Sequence, residues 1–406
     1  MSITASESEH AHTTSLENLA VAARDSARVS GLTHNFYRYP ARFSPVFAQA
    51  AIETFSRPGD WVLDPFAGGG TTLVEALACG RNAIGSDVST LATFVCEAKT
   101  TILTKREIDI VRRWISRLPD IINMQSPGRR FSPYADRGYY RNLEGSDYWR
   151  LRKAIEQVLD SISRLRSARA QILARCILLQ TSQWALDARK NRPTIGQFRD
   201  RICLKGEEML VAAEEFRQRV RCNSSGMRAK VHCLNGSAGE LASHPVIRRA
   251  GAPKLVLTSP PYPGIRVLYH RWQIDGRKSC LAPFWIANRM DGAGEPHYTM
   301  GGVAKDRLSL QRYFDNLARN FASIAQICGD SSVVVQMVAF SQPKWQLPRY
   351  LEVMTQSGLT EILRSNTKKT DGADRIWRQV PNRKWHTHRE KCTSGAREVV
   401  LIHRKS

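Results

Sequence analysis

An open α/β fold, its mostly parallel sheet interrupted by one large helical insertion, is what the 406-residue sequence predicts. Three observations lead there. Short β-branched runs such as WVLD, KLVLT, SSVVVQMVAF and REVVLIHRK alternate with stretches of helical spacing such as LQRYFDNLARNFASIAQI, the pattern of a sheet with helices packed on it. Residues 61–87, WVLDPFAGGGTTLVEALACGRNAIGSD, read as strand, glycine turn, helix and strand, one βαβ unit. Residues 105–230 carry helical periodicity instead.

Taken in order, the Ser/Thr-rich residues 1–14 are expected to be disordered, and SLENLAVAARDSARV follows with helical spacing and Ser15 as its N-cap. HNFYRYPARFSPVFAQAAIETF (34–55) runs an aromatic, proline-punctuated segment into an amphipathic helix. The helix after the glycine turn stops at Gly80. Between 105 and 230, apolar residues recur three and four apart (Ile108, Val111, Ile115, Leu118; Leu151, Ile155, Val158, Ile162), with Arg and Lys on the other faces. Strands resume at AKVHCLNGSAGEL and KLVLTSPPY. The expected parts are therefore 1–30, a tail and helix; 31–104, the first half of the sheet; 105–230, a basic helical insertion; and 231–406, the second half with a basic end.

Charge narrows the class of partner. The formal net charge is +23, and Lys and Arg outnumber Asp and Glu by 27 to 14 over residues 105–230 and by 14 to 6 over 341–406. A polyanion fits such a surface, since each neutralised phosphate releases condensed counterions. No apolar stretch is long enough to cross a bilayer, and the first residues lack the basic start and apolar run of a signal peptide. Nine cysteines, an odd number with no CxxC pair, read as reduced thiols of a cytoplasmic protein, and the histidines form no HxxxH or HExxH pair, so no metal is expected.

Two stretches carry chemistry. In VLDPFAGGGTT (62–72), Gly68, Gly69 and Gly70 allow a tight turn and a close ligand approach at a strand's carboxyl end. The stretch has no lysine for a phosphate loop and lacks GxGxxG spacing. Asp64 puts a carboxylate beside the turn, suited to a cationic amino-acid moiety, and Asp87 ends the next strand, suited to the hydroxyls of a ribose. An amino acid and a nucleoside joined through a cationic centre describe S-adenosylmethionine; the alternative is a turn with a purely structural role.

In the second stretch, Thr258-Ser259-Pro260-Pro261-Tyr262 follows another strand. Prolines remove N–H donors and leave carbonyl oxygens, so this tip accepts hydrogen bonds. Ser259 and a proline carbonyl suit the two N–H groups of a nucleobase amine, and Tyr262 suits stacking on a base swung out of its helix. By itself the tetrapeptide also reads as an ordinary proline turn.

DPFAGGGTT followed by TSPPY resembles the amino-group DNA methyltransferases, and the serine form resembles their cytosine-N4 members. HNFYRYPARFSP (34–45) is similar to the segment that walls the cofactor pocket in that family, which directs attention to Tyr39 and Phe43. The resemblance covers about 31–100, 231–340 and the final strand. It implies a Rossmann-like sheet of seven strands with an antiparallel hairpin at one edge. It further implies S-adenosylmethionine bordered by Asp64, Pro65, Phe66, Gly68, Gly69, Gly70 and Thr71, with its ribose on Asp87. Ser259, Pro260, Pro261 and Tyr262 become the catalytic tip. Ser237 falls near the adenine, where family members often carry an aspartate.

The function this implies is methylation of cytosine N4 in double-stranded DNA, in partnership with a cognate restriction endonuclease. Adenine-N6 methylation, RNA guanine-N2 methylation and a catalytically inert DNA-binding module are the alternatives. Cytosine C5 chemistry is disfavoured because the sequence has no Pro-Cys dipeptide. Arg266, His270 and Arg271, beside Trp272, and Arg378, Arg383 and Lys384, beside Trp377 and Trp385, interleave charge with aromatics and are the expected nucleic-acid contacts.

Overall fold

The computed structural model describes residues 16–406 apart from 28, 40–43, 146, 190, 225–228, 265–270, 277, 292–294, 303–305, 364–374 and 380–396. The described strands are β1 (Trp61–Asp64), β2 (Asn82–Asp87), β3 (Val231–Asn235), β4 (Leu255–Thr258), β5 (Trp272–Ile274), β6 (Lys278–Cys280), β7 (Val333–Ala339), β8 (Leu359–Glu361), β9 (Ile376–Gln379) and β10 (Arg397–Lys405). The main sheet has the order β3-β2-β1-β4-β7-β10-β8, with β9 also paired to β10. From β3 to β7 all neighbours are parallel, and β10 is antiparallel to β7.

Both β8 and β9 pair antiparallel with β10, β9 along 397–400 and β8 along 403–405. They share one lateral position, so the expected seven-stranded arrangement is present with its edge strand in two pieces.

Period-two alternation sends neighbouring residues to opposite faces. Val62, Leu255, Leu257, Val333 and Val335 meet α1 (Pro45–Phe55) and α2 (Thr71–Ala78), while Leu63, Val256 and Val334 meet long helices of the second half, α9 (Arg307–Ile327) and α10 (Pro343–Gln356). Strand β7, covered on both faces, is buried along its whole length, which is why it is written VVVQMVA.

The region 105–223 is helical as its spacing predicts. After α3 (Thr90–Thr100) come α4 (Lys105–Ser116), α5 (Trp149–Ser163), α6 (Ala168–Leu186) and α7 (Ile195–Asn223). Thr104 with Glu107 and Thr194 with Gln197 form capping boxes that start α4 and α7. At Gly206 a Cβ would fall 2.6 Å from Ile115 Cδ1, so the glycine is what lets α7 lie close on α4.

This lobe is not built from the insertion alone. Its core also takes Phe36, Tyr37 and Tyr39, the α3 residues Phe94 and Val95, Trp272 and Ile274 of β5, and α8 (Ala282–Ala287). The β5–β6 hairpin is tied to the end of α6, with the Ala188 N–H donating to Gln273 O (2.7 Å) and the Gln273 N–H to Asp187 Oδ1 (3.0 Å).

Candidate active site

The sheet order reverses at β1, whose neighbours are β2 and β4, and open α/β sheets bind ligands outside the strand ends at such a point. Asp64 ends β1 there. Its carboxylate accepts from Thr258 Oγ1 (2.6 Å), Thr72 Oγ1 (2.7 Å) and the Phe66 N–H (3.1 Å). Thr72 lies in the first turn of α2 and Thr258 immediately precedes Ser259, so this one buried carboxylate latches the glycine turn to the proline tip. Burial pushes its pKa up to about 6, against the pull of those hydrogen bonds.

Gly68 and Gly70 have φ of +46° and +73°, a region where side chains are strained, and Gly70 is the N-cap of α2. At Gly69 a Cβ would stand 3.0 Å from Tyr39 Cβ, and at Gly70 3.1 Å from Cys96 Sγ. The turn is thus wedged between the 36–39 segment and α3. Fully buried Lys99 of α3 donates to Gly69 O at 2.7 Å.

Asp87 ends β2. Its Oδ2 accepts from the Gly68 N–H (2.9 Å) and its Oδ1 from the Ser89 N–H (2.8 Å), and burial raises its pKa to about 6. Each carboxylate oxygen keeps acceptor capacity beyond that one bond.

At the second corner, Ser259 Oγ donates to Met337 O (2.9 Å) and lies 3.0 Å from Tyr262 Oη. The Tyr262 hydroxyl donates to Glu398 Oε1 (2.8 Å), and Glu398 forms a buried ion pair with Arg378 (2.6 Å). Pro261 O accepts from the buried Tyr313 hydroxyl (2.7 Å) and, with a second lone pair, keeps acceptor capacity.

Both corners face one cavity of about 330 Å³. Of the residues singled out from the sequence, Tyr39, Pro65, Phe66, Gly68, Asp87, Ser237, Ser259 and Pro261 line it. Asp64, Gly69, Gly70, Thr71, Pro260 and Tyr262 do not line it and stand behind its wall. Phe43, Arg266, His270, Arg383 and Lys384 lie outside the described residues. Arg271 is on the surface, 3.3 Å from Asp291. Arg378, read from the sequence as a nucleic-acid contact, is 8% exposed and spends its charge on Glu398. Its neighbour Arg397 stacks on Trp377, 5.1 Å from the ring centroid.

The sequence reading missed the α9 side of the cavity, where Asn316, Arg319 and Asn320 face it, together with His297, Tyr298 and Met300. Asn316 and Asn320 sit four apart on one helix face, a signal visible in the sequence only once that face is known to meet a ligand site. No cluster of His, Cys, Asp and Glu able to hold a metal occurs among the described residues.

Residues 7–92 match a family model described as DNA methylase, of the N6/N4 type. Type II methyltransferase M.MvaI of Kocuria varians is 40% identical over 73 residues, 17% of this chain and 16% of that protein. Type II methyltransferase M.MthZI of Methanothermobacter thermautotrophicus is 37% identical over 86 residues, 21% of this chain and 24% of that protein. The matches thus span no more than about a quarter of either relative. Among solved structures, the rRNA methyltransferase aviRa of Streptomyces viridochromogenes is matched at 11% identity and a TM-score of 0.33, over 91% of this chain and 89% of that one. The family match takes in β1, the glycine turn, β2 and Asp87, and over that stretch the chain is similar to the N6/N4-type DNA methylases, a likeness that implies S-adenosylmethionine as cofactor.

Proposed function

We propose that the chain transfers a methyl group from S-adenosylmethionine to the exocyclic N4 amine of cytosine in double-stranded DNA, working beside a cognate endonuclease. The observation that carries this reading is the shared cavity, with the glycine turn and Asp87 on one side and Ser259 and Pro261 on the other. Its volume, about 330 Å³, falls within the range of small-molecule sites. Asp87 retains acceptor capacity for a ribose, and Phe66, Tyr39 and Met300 give apolar surface for an adenine ring. The residues present therefore fit the cofactor. Its sulfonium supplies an electrophilic methyl group.

The protein's part is to make a poor nucleophile attack. An aromatic amine delocalises its lone pair into the ring. Accepting its two N–H bonds at Ser259 Oγ and at a proline carbonyl of the tip draws the nitrogen toward a pyramidal geometry and holds it in line, so positioning and hydrogen bonding do the work. Ser259 is well placed for this role because its own proton is directed to Met337 O. The basic excess over 105–230 supports a polyanionic substrate.

Mass spectrometry of nucleosides from DNA incubated with the chain and S-adenosylmethionine tests the reading. N4-methyl-2′-deoxycytidine is the expected product; N6-methyl-2′-deoxyadenosine would favour the sister chemistry, and no product from DNA, or methylation of RNA alone in a parallel incubation, would reject both. Ser259→Ala is expected to lower kcat roughly 10²-fold, as loss of a positioned hydrogen-bonding group in a site does. Asp87→Ala is expected instead to weaken cofactor binding.

A further inference from the structure

We propose that Glu398, held by Arg378, is a positioning residue that fixes the direction of hydrogen bonding at Ser259, so that the serine can only accept from the target base. The inference rests on the functional reading above and adds a constraint to it. Glu398 of β10 and Arg378 of β9 are both buried, with Arg378 Nε 2.7 Å from Glu398 Oε2. A carboxylate in that pair has no proton to give. Tyr262 must therefore donate to it, across 2.8 Å, and the Tyr262 oxygen can then only accept from Ser259, 3.0 Å away. Met337 O, 2.9 Å from Ser259 Oγ, is likewise only an acceptor. The single proton of Ser259 is thus committed inside the protein, and lone pairs are all it offers the cavity. Such a site holds an amine and repels a carbonyl oxygen in the same place. No local sequence pattern marks Glu398, which is 136 residues from Tyr262.

Glu398→Gln reverses the chain of donors. The glutamine oxygen stays on Arg378, its amide N–H faces Tyr262, and the phenol must turn its proton onto a Ser259 lone pair. We expect kcat to fall roughly 10²-fold with KM for S-adenosylmethionine within about twofold, as for loss of a positioned group. Tyr262→Phe, which leaves the serine proton on Met337 O, is expected to cost less than about tenfold. The double variant Y262F/E398Q is expected to match Y262F alone, because the amide then has no phenol to turn; a packing role for Glu398 predicts the opposite, a double variant slower than either single one.

A second measurement uses the unaltered protein and so survives misfolding of the variants. DNA carrying the target base or its keto counterpart, uracil for cytosine or hypoxanthine for adenine, is placed opposite an abasic site so that extrusion costs the same. Binding to the keto form at least tenfold weaker supports the inference; equal binding, or a double variant slower than E398Q, overturns it. Failure of the unaltered protein to methylate DNA at all would instead overturn the functional reading, and this inference with it.

Discussion

Asp64 shows how far a residue's chemistry can depart from its sequence neighbourhood. Its carboxylate was expected to face a cationic ligand, yet it is enclosed by Thr72, Thr258 and the Phe66 N–H, and Thr258 is 194 residues away in sequence. Because burial raises its folded pKa to about 6 from 3.8, the folded state binds the proton more tightly than the unfolded chain. The stability this contributes is complete below about pH 4 and is lost as pH rises through 6. Asp64→Asn removes the titration while keeping an oxygen for Thr258 and Phe66; the new N–H donates to Thr72, whose hydroxyl can turn to Leu257 O, 3.3 Å away. Relative to the unaltered protein, the asparagine variant should therefore gain stability between pH 4 and 7.5, on the order of 1–3 kcal/mol. Urea titrations at the two pH values read the difference, and a pH-independent offset would mean the carboxylate is not enclosed as described. Arg378 and Trp272 carry the same lesson. Composition marked both stretches as suited to DNA, but Arg378 is buried on Glu398, and Trp272 is 2% exposed with its indole N–H on Tyr37 Oη. A list of residue types does not distinguish a charge or ring facing solvent from one facing a partner across the fold.

At the scale of elements, long periodic segments were legible and short ones were not. The spacing of Ile108, Val111 and Ile115 identifies α4 because an amphipathic helix must present one apolar stripe, and those three residues are buried. Strands β5 and β6, three residues each, are too short for any period to register; they owe their form to α6 and its Asp187 rather than to their own pattern. Gly80 is a case where the sequence signal was right and its cause larger than expected. It ends α2 with φ of +77°, but a Cβ there would also stand 2.1 Å from Asn223 O at the end of α7. Asn223 in turn donates from Nδ2 to Ala78 O (2.6 Å), so the last turn of α2 and the last turn of α7 finish each other. Gly80→Ala should cost about 2–4 kcal/mol, combining left-handed strain with displacement of the α7 end. A fall in urea midpoint at unchanged slope would register it, and a cost below about 0.5 kcal/mol would show that α7 does not abut the turn.

At the scale of the whole molecule, the question is whether the helical lobe is a separable insertion. Sequence boundaries drawn at 105 and 230 treat it as one, because composition and periodicity both change there. Its core, however, is continuous with Tyr37, Phe94, Trp272, Phe284 and Trp285, which belong to the segment before the glycine turn, to α3, and to the stretch that follows the proline tip. Arg175 of α6 donates to Ile286 O (3.0 Å), Tyr148 to Asp275 (2.6 Å) and Asn142 to Ser279 O (2.9 Å), so polar contacts repeat what the apolar ones establish. The lobe thus joins both halves of the sheet domain on the side of Tyr39, a residue of the cavity wall. Removing residues 105–223 and bridging the gap should expose those large aromatic surfaces together, each worth about 1.5–3 kcal/mol when fully buried, against a typical total stability of about 5–15 kcal/mol. Such a deletion is expected to give a chain that aggregates or lacks a cooperative thermal transition, and that does not bind S-adenosylmethionine by calorimetry. A soluble deletion variant with a sharp transition and intact cofactor binding would instead make the lobe an independent module whose contribution lies outside the stability of the sheet domain.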